Sequence, residues 1–108
     1  MPVFDIAHLS AERRQSGRLY LEFLRQPALS AGLYELAAGA TDPQRPHAED
    51  EIYYVVRGRA VVRLGAEDVP VQAGSVVFVP AHQEHRFHGI TEDLALLVVF
   101  APAEGAND

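Results

Sequence analysis

The 108 residues contain no cysteine and no lysine. Without cysteine there is no disulfide framework, thiol nucleophile, iron–sulfur cluster or cysteine-type zinc site. All nine basic residues are arginine. A Schiff-base lysine and a lysine-bearing phosphate loop are therefore excluded. The four serines include none in a G-x-S-x-G setting and none beside a histidine, which argues against a hydrolase triad. Long apolar runs are missing too. The longest, Leu94 to Pro102, falls far short of the ~20 residues that cross a bilayer. The stretch MPVFDIAHLS has no basic flank before an apolar core, so no signal peptide is read and a cytoplasmic location is expected. Positive charge is scarce, with nine basic against fifteen acidic residues and a formal net charge of −6. Such a chain is a poor match to a phosphate backbone. Arg57 and Arg59 read as turn solvation, and no nucleic-acid or membrane partner is expected.

Apolar residues make up 48% of the chain, enough for a globular core, and the length suits one domain over residues 1–108. Ser10 is expected to cap a short helix through AERRQS, with Glu12 near its positive end and Gly17 closing it. From Arg18 the pattern is β. Apolar and β-branched runs occupy 18–24, 29–36, 51–58, 59–65, 69–72, 74–80, 84–90 and 93–102. Arg57-Gly58-Arg59 reads as a tight turn between two of them. Eight or nine short strands with turn signals every 8–12 residues argue for an all-β sandwich or barrel. The tail AEGAND has no large apolar residue and is expected to fray.

Four of the five histidines lie between positions 47 and 88. Residues an even number apart on a strand share a face. Arg45, His47 and Glu51 stand at such separations, as do His85 and Phe87, while His88 points the other way. Two histidines and one carboxylate from neighbouring strands would form a metal site with open positions. That donor set suits iron(II), manganese, nickel or zinc.

At these residues the sequence resembles the cupin superfamily. Its first motif, G-x5-H-x-H-x3,4-E-x6-G, is matched by Gly39, His47, Glu51 and Gly58, with Arg45 in the place of the first histidine. Its second, G-x5-P-x-G-x2-H-x3-N, is matched by Gly74, Pro80 and His85, with His82 for the glycine and Gly89 for the asparagine. The resemblance implies an antiparallel jelly-roll barrel and metal ligands at His47, Glu51 and His85, with Glu49 in reserve. It also implies a homodimer, for which the run 18–37 is the expected contact. A guanidinium offers no lone pair to a metal. Arg45 therefore either meets an anionic substrate or closes the site by pairing with Glu51 or Glu49.

Tyr53 shares parity with Glu51 and reads either as a proton donor in the cavity or as core. Tyr54 should face the opposite side. His82 reads as a rim residue and His88 as a surface one. Phe78, Phe87 and Phe100 read as packing residues, with Phe87 a wall beside the metal. Two functions stay open at this point. One is a metal-dependent enzyme, dioxygenase-like or an isomerase or lyase, acting on a small polar or anionic molecule. The other is a non-catalytic module that binds a small molecule or metal. A metal-free structural barrel is a blander third.

Overall fold

The computed structural model describes residues 2–107. A helix, α1 (Ile6–Ser16), precedes six strands: β1 (Tyr20–Gln26), β2 (Leu29–Leu36), β3 (Asp50–Leu64), β4 (Glu67–Gln72), β5 (Val76–Val79) and β6 (His85–Ala101). Every strand pairing is antiparallel. The order is β1-β2-β6-β3-β4, with β5 also on β3. The architecture is an all-β antiparallel jelly-roll barrel with one short helix.

The helix begins earlier than Ser10 predicts. Asp5 is its cap, with an extended backbone and a carboxylate that accepts the Ala7 N–H at 3.0 Å. Ser10 instead lies inside the helix, buried, and its hydroxyl donates to the Glu35 carboxylate at 2.9–3.0 Å. A buried carboxylate is a stronger attraction for a hydroxyl than a helix end that Asp5 already satisfies. Gly17 closes the helix in the left-handed region, with φ 73°.

The strand count is also corrected. Arg57-Gly58-Arg59 is a bend inside one long strand, and the runs 84–90 and 93–102 fuse into β6. The register of β3 against β6 shifts three times between Val55 and Val61. Such bulges bend a ribbon without ending it. Gly58 has φ 101°, and a Cβ there would collide with the Asp93 carbonyl oxygen. The bulges also change which parity faces inward. On β3 the buried residues are Glu51, Tyr53 and Val55 before the bend, then Ala60 and Val62 after it. On β6 they are His85 and Phe87, then Ile90, Leu94, Ala95, Leu96, Val98 and Phe100.

The bend closes the barrel. Before it, β3 pairs with β5 on one edge and the second half of β6 on the other. After it, β3 pairs with β4 and the first half of β6. The inward side chains form one apolar cluster around Tyr53, Phe87, Leu94 and Leu96. Burying each contributes roughly 1.5–3 kcal/mol. Outside, α1 covers β1 and β2 and inserts Leu9. The outer faces of β3 and β5 are uncovered, and Phe78 is 57% exposed there rather than packed inside.

The C-terminal tail is not frayed over its described residues. Ala103 is buried, the Glu104 N–H donates to Ser30 Oγ at 2.9 Å, and Asn107 Nδ2 donates to the Ala48 carbonyl at 3.1 Å. Hydrogen bonds to the backbone and to small side chains hold it, which hydropathy does not register.

Candidate metal centre

Residues 37–49 cross the barrel mouth without regular secondary structure. Asp42 anchors this segment from inside. Its buried carboxylate accepts the Tyr34 hydroxyl at 2.5 Å and the Phe87 N–H at 2.9 Å. Pro43 and Pro46 favour extended backbone at the residues before them. Gln44 is half-buried beside Tyr53 and His85, while Arg45 is exposed at the cavity wall. A second loop closes beside it, where the His82 N–H donates to the His47 carbonyl at 2.6 Å. His82 takes φ 68°, a left-handed conformation at the place where the motif has glycine.

The structure brings His47, Glu51 and His85 together, with one candidate ligand atom from each all within 4.8 Å of one another. Glu51 comes from the start of β3, His85 from the start of β6, and His47 from the loop. His85 Nδ1 lies 3.0 Å from the Gln83 carbonyl, which can only accept, so Nδ1 carries the hydrogen. Nε2 then faces inward, 3.3 Å from Glu51 Oε1 and 3.0 Å from Gln44 Oε1. Burial alone would lower the His85 pKa, but the Glu51 carboxylate and the Gln83 carbonyl outweigh it, and the net shift is upward. Tyr53 Oη lies 2.7 Å from Gln44 Oε1 and 3.0 Å from His85 Nε2. Burial first, and then the Glu51 charge, push the Tyr53 pKa well up, so its hydroxyl stays protonated and donates.

His47 packs edge-on against Phe100, ring centroids 4.8 Å apart. Its Nδ1 lies 3.7 Å from Glu104 Oε2, delivered by the C-terminal tail. Burial raises the Glu104 pKa, against the lowering influence of His47. The group sits in a cavity of about 450 Å3 that is also lined by Tyr20, Tyr34, Gln44, Arg45 and Glu104. Among the described residues, Tyr20 Oη, Gln44 Nε2 and Glu51 Oε1 are buried without a hydrogen-bond partner in the protein. A buried carboxylate 3.3 Å from an imidazole nitrogen is a pair that a proton or a metal cation can bridge. Two nitrogens and one oxygen fit a divalent transition metal.

The other candidates are dispersed. Arg45 is exposed at the cavity wall and makes no hydrogen bond or ion pair among the described residues, so it does not close the site on Glu49 or Glu51. Glu49 is buried but accepts the Asn107 N–H at 3.4 Å, outside the cluster. His82 is exposed on its loop, and His88 meets Asp68 at 2.9 Å on the surface. Tyr54 faces outward. The apolar wall beside the cluster is Phe100; Phe87 instead packs edge-on beneath Tyr53, centroids 4.9 Å apart. Gln44, Glu104 and Tyr20 are site residues that motif reading passes over. Only the Asp42-Pro43 and Arg45-Pro46 pairs hint at Gln44.

A jelly-roll barrel with a histidine–carboxylate cluster at its mouth defines a class, and similarity to known proteins agrees with it. The sequence profile of the Cupin domain matches residues 32–100. The chain belongs to the cupin family. It is 53% identical over 104 residues to an uncharacterised protein of Streptomyces coelicolor, covering 96% of this chain and 99% of that one. It is 29% identical over 98 residues to an oxalate-binding protein of Thermotoga maritima, covering 88% of this chain and 73% of that one. In three dimensions it superimposes on a Thermus thermophilus protein with a TM-score of 0.77 at 26% identity, covering 95% and 99% of the two chains.

Proposed function

We propose that this cupin holds a divalent metal through His47, Glu51 and His85, and acts as a metal-dependent enzyme on a small carboxylate-bearing molecule. The observation that carries the reading is that one ligand atom from each of His47, Glu51 and His85 lies within 4.8 Å of the others, with Glu51 and His85 buried. The metal, when bound, supplies a Lewis acid that polarises an oxygen function of the ligand. The protein does the rest. Arg45 at the cavity wall pairs with the anionic end. Tyr53, held in its protonated form, donates to Gln44 Oε1 at 2.7 Å and would have to turn from it to serve the ligand. Tyr20 Oη offers a second donor. Oxygen-dependent cleavage is the favoured reaction class, followed by isomerisation and elimination. Iron, manganese, nickel and zinc all suit the donors.

A second reading, binding without turnover, is favoured by the resemblance to the Thermotoga maritima oxalate-binding protein. Elemental analysis of the purified protein beside His47→Ala and His85→Ala tests the metal. Stoichiometric metal lost in both variants supports the site. No metal, and none taken up on reconstitution, sinks it. Titration with small dicarboxylates, followed for heat and for oxygen consumption, then separates binding from catalysis.

The assembly we propose is a homodimer, not through 18–37 but through the outer face of β3 and β5. Ile52 pairs with Phe78 and Tyr54 with Val76, and all four are exposed, Val76 by 65%. The run 18–37 is largely occupied by α1 and the core. Light scattering should give a dimer, and Phe78→Asp a monomer; a monomeric wild type refutes it. A location in the cytoplasm is kept as part of the same reading, and the net charge of −6 supports the expectation of no nucleic-acid partner.

A further inference from the structure

Arg45 cannot fill the ligand position that the first motif histidine would occupy, and the loop turns it outward. Its neighbour takes the place. We propose that Gln44 is a fourth protein donor to the metal centre, binding through its amide oxygen. This rests on the metal reading above.

The argument is one of lone pairs. With a metal bound, His85 would be neutral, its hydrogen on Nδ1 toward Gln83 and its Nε2 lone pair turned inward. That lone pair meets Gln44 Oε1 at 3.0 Å and Glu51 Oε1 at 3.3 Å. The Tyr53 hydroxyl donates to Gln44 Oε1 at 2.7 Å and so occupies one of its two lone pairs. The other is left free beside His85 Nε2 and Glu51 Oε1. Without metal a proton on His85 Nε2 can bridge this imidazole nitrogen and the two oxygens, and a metal ion would take that proton's place. Asp42, two residues earlier, is anchored by Tyr34 and Phe87, which ties down the segment that carries Gln44. The resulting set is two imidazole nitrogens and two oxygens, harder than a three-histidine set and better suited to manganese or iron(II).

Titration with cobalt(II), followed by its visible absorption, tests this without any substrate. Gln44→Ala should weaken cobalt binding by about tenfold or more and change the absorption bands, because water replaces a protein ligand. Gln44→Glu keeps an oxygen at the position and adds charge, so it should bind at least as tightly as wild type. Circular dichroism and the thermal transition of the metal-free variants establish that both fold. A Gln44→Ala protein with wild-type affinity and spectrum overturns the inference while leaving the three-ligand site intact. Weak binding by both variants also overturns it, since that pattern belongs to an amide acting as a hydrogen-bond donor to His85. A wild-type protein that binds no cobalt overturns this inference and the metal reading together.

Discussion

Glu104 Oε2 lies 3.7 Å from Nδ1 of His47, at the end of a tail segment that the chain folds back over its own cavity. A carboxylate beside the ring of a metal-binding histidine helps to orient it and raises its basicity. Glu104→Gln should therefore weaken metal binding by about tenfold, read by competition against a chromophoric chelator. The same substitution has the opposite effect on the metal-free fold. Burial raises the Glu104 pKa from its ordinary 4.5. The folded state then holds a proton that the unfolded chain releases, so stability falls as pH rises between the ordinary and the raised value. Metal-free Glu104→Gln should melt higher than wild type at neutral pH, and the difference should vanish at acid pH. An equal melting temperature across the range would contradict this.

Metal should be visible in stability. A ligand at a hundred times its dissociation constant stabilises by about 2.7 kcal/mol. For a domain of this size that is a rise of roughly 10–20 °C in Tm. Differential scanning fluorimetry with manganese, iron(II), nickel and zinc should show such a rise, reversed by chelator. His85→Ala should show none. The metal response should weaken as the solution is acidified, because a proton with raised affinity competes for His85.

Gly58 is the hinge on which β3 and β6 bend together. Its φ of 101° is strained for any other residue, and a Cβ would meet the Asp93 carbonyl. Gly58→Ala should cost about 2–5 kcal/mol in urea unfolding, from backbone strain and overpacking combined. Gly39 at φ 78° has nothing within 4 Å of a Cβ and serves as a control for the strain alone.

Glu35 ties the helix to the barrel. Its buried carboxylate takes Ser10, Arg13 and Arg57, the last at 2.8 Å. Glu35→Ala should cost about 2 kcal/mol, less than a fully buried pair because Arg57 can turn to water. Faster proteolysis within 1–17 would mark the release of α1. An unchanged unfolding midpoint would refute the role.

Much of this protein is legible along the chain. β-branched runs and turn residues announce strands, because strand propensity and turn geometry are local. The spacings from His47 to Glu51 and from Pro80 to His85 are short, and strand parity places Tyr53 inward and Tyr54 outward. The limits lie where distant backbone decides. Whether Arg57-Gly58-Arg59 turns or bends depends on the Asp93 carbonyl across the ribbon, and each bulge resets the parity by which faces are read. Gln44 reaches Tyr53 and His85 on a segment whose Asp42 is pinned by Tyr34 and Phe87, one of them 45 residues away. Glu104 reaches His47 because the tail bonds to Ser30 and Ala48. The sequence by itself determined the β-forming runs, the barrel class and the candidate trio His47, Glu51 and His85, since each rests on spacing within a single motif. Only the tertiary structure decided that Gln44 and Glu104 complete the surroundings of that trio, since both are placed by hydrogen bonds between segments far apart in the chain.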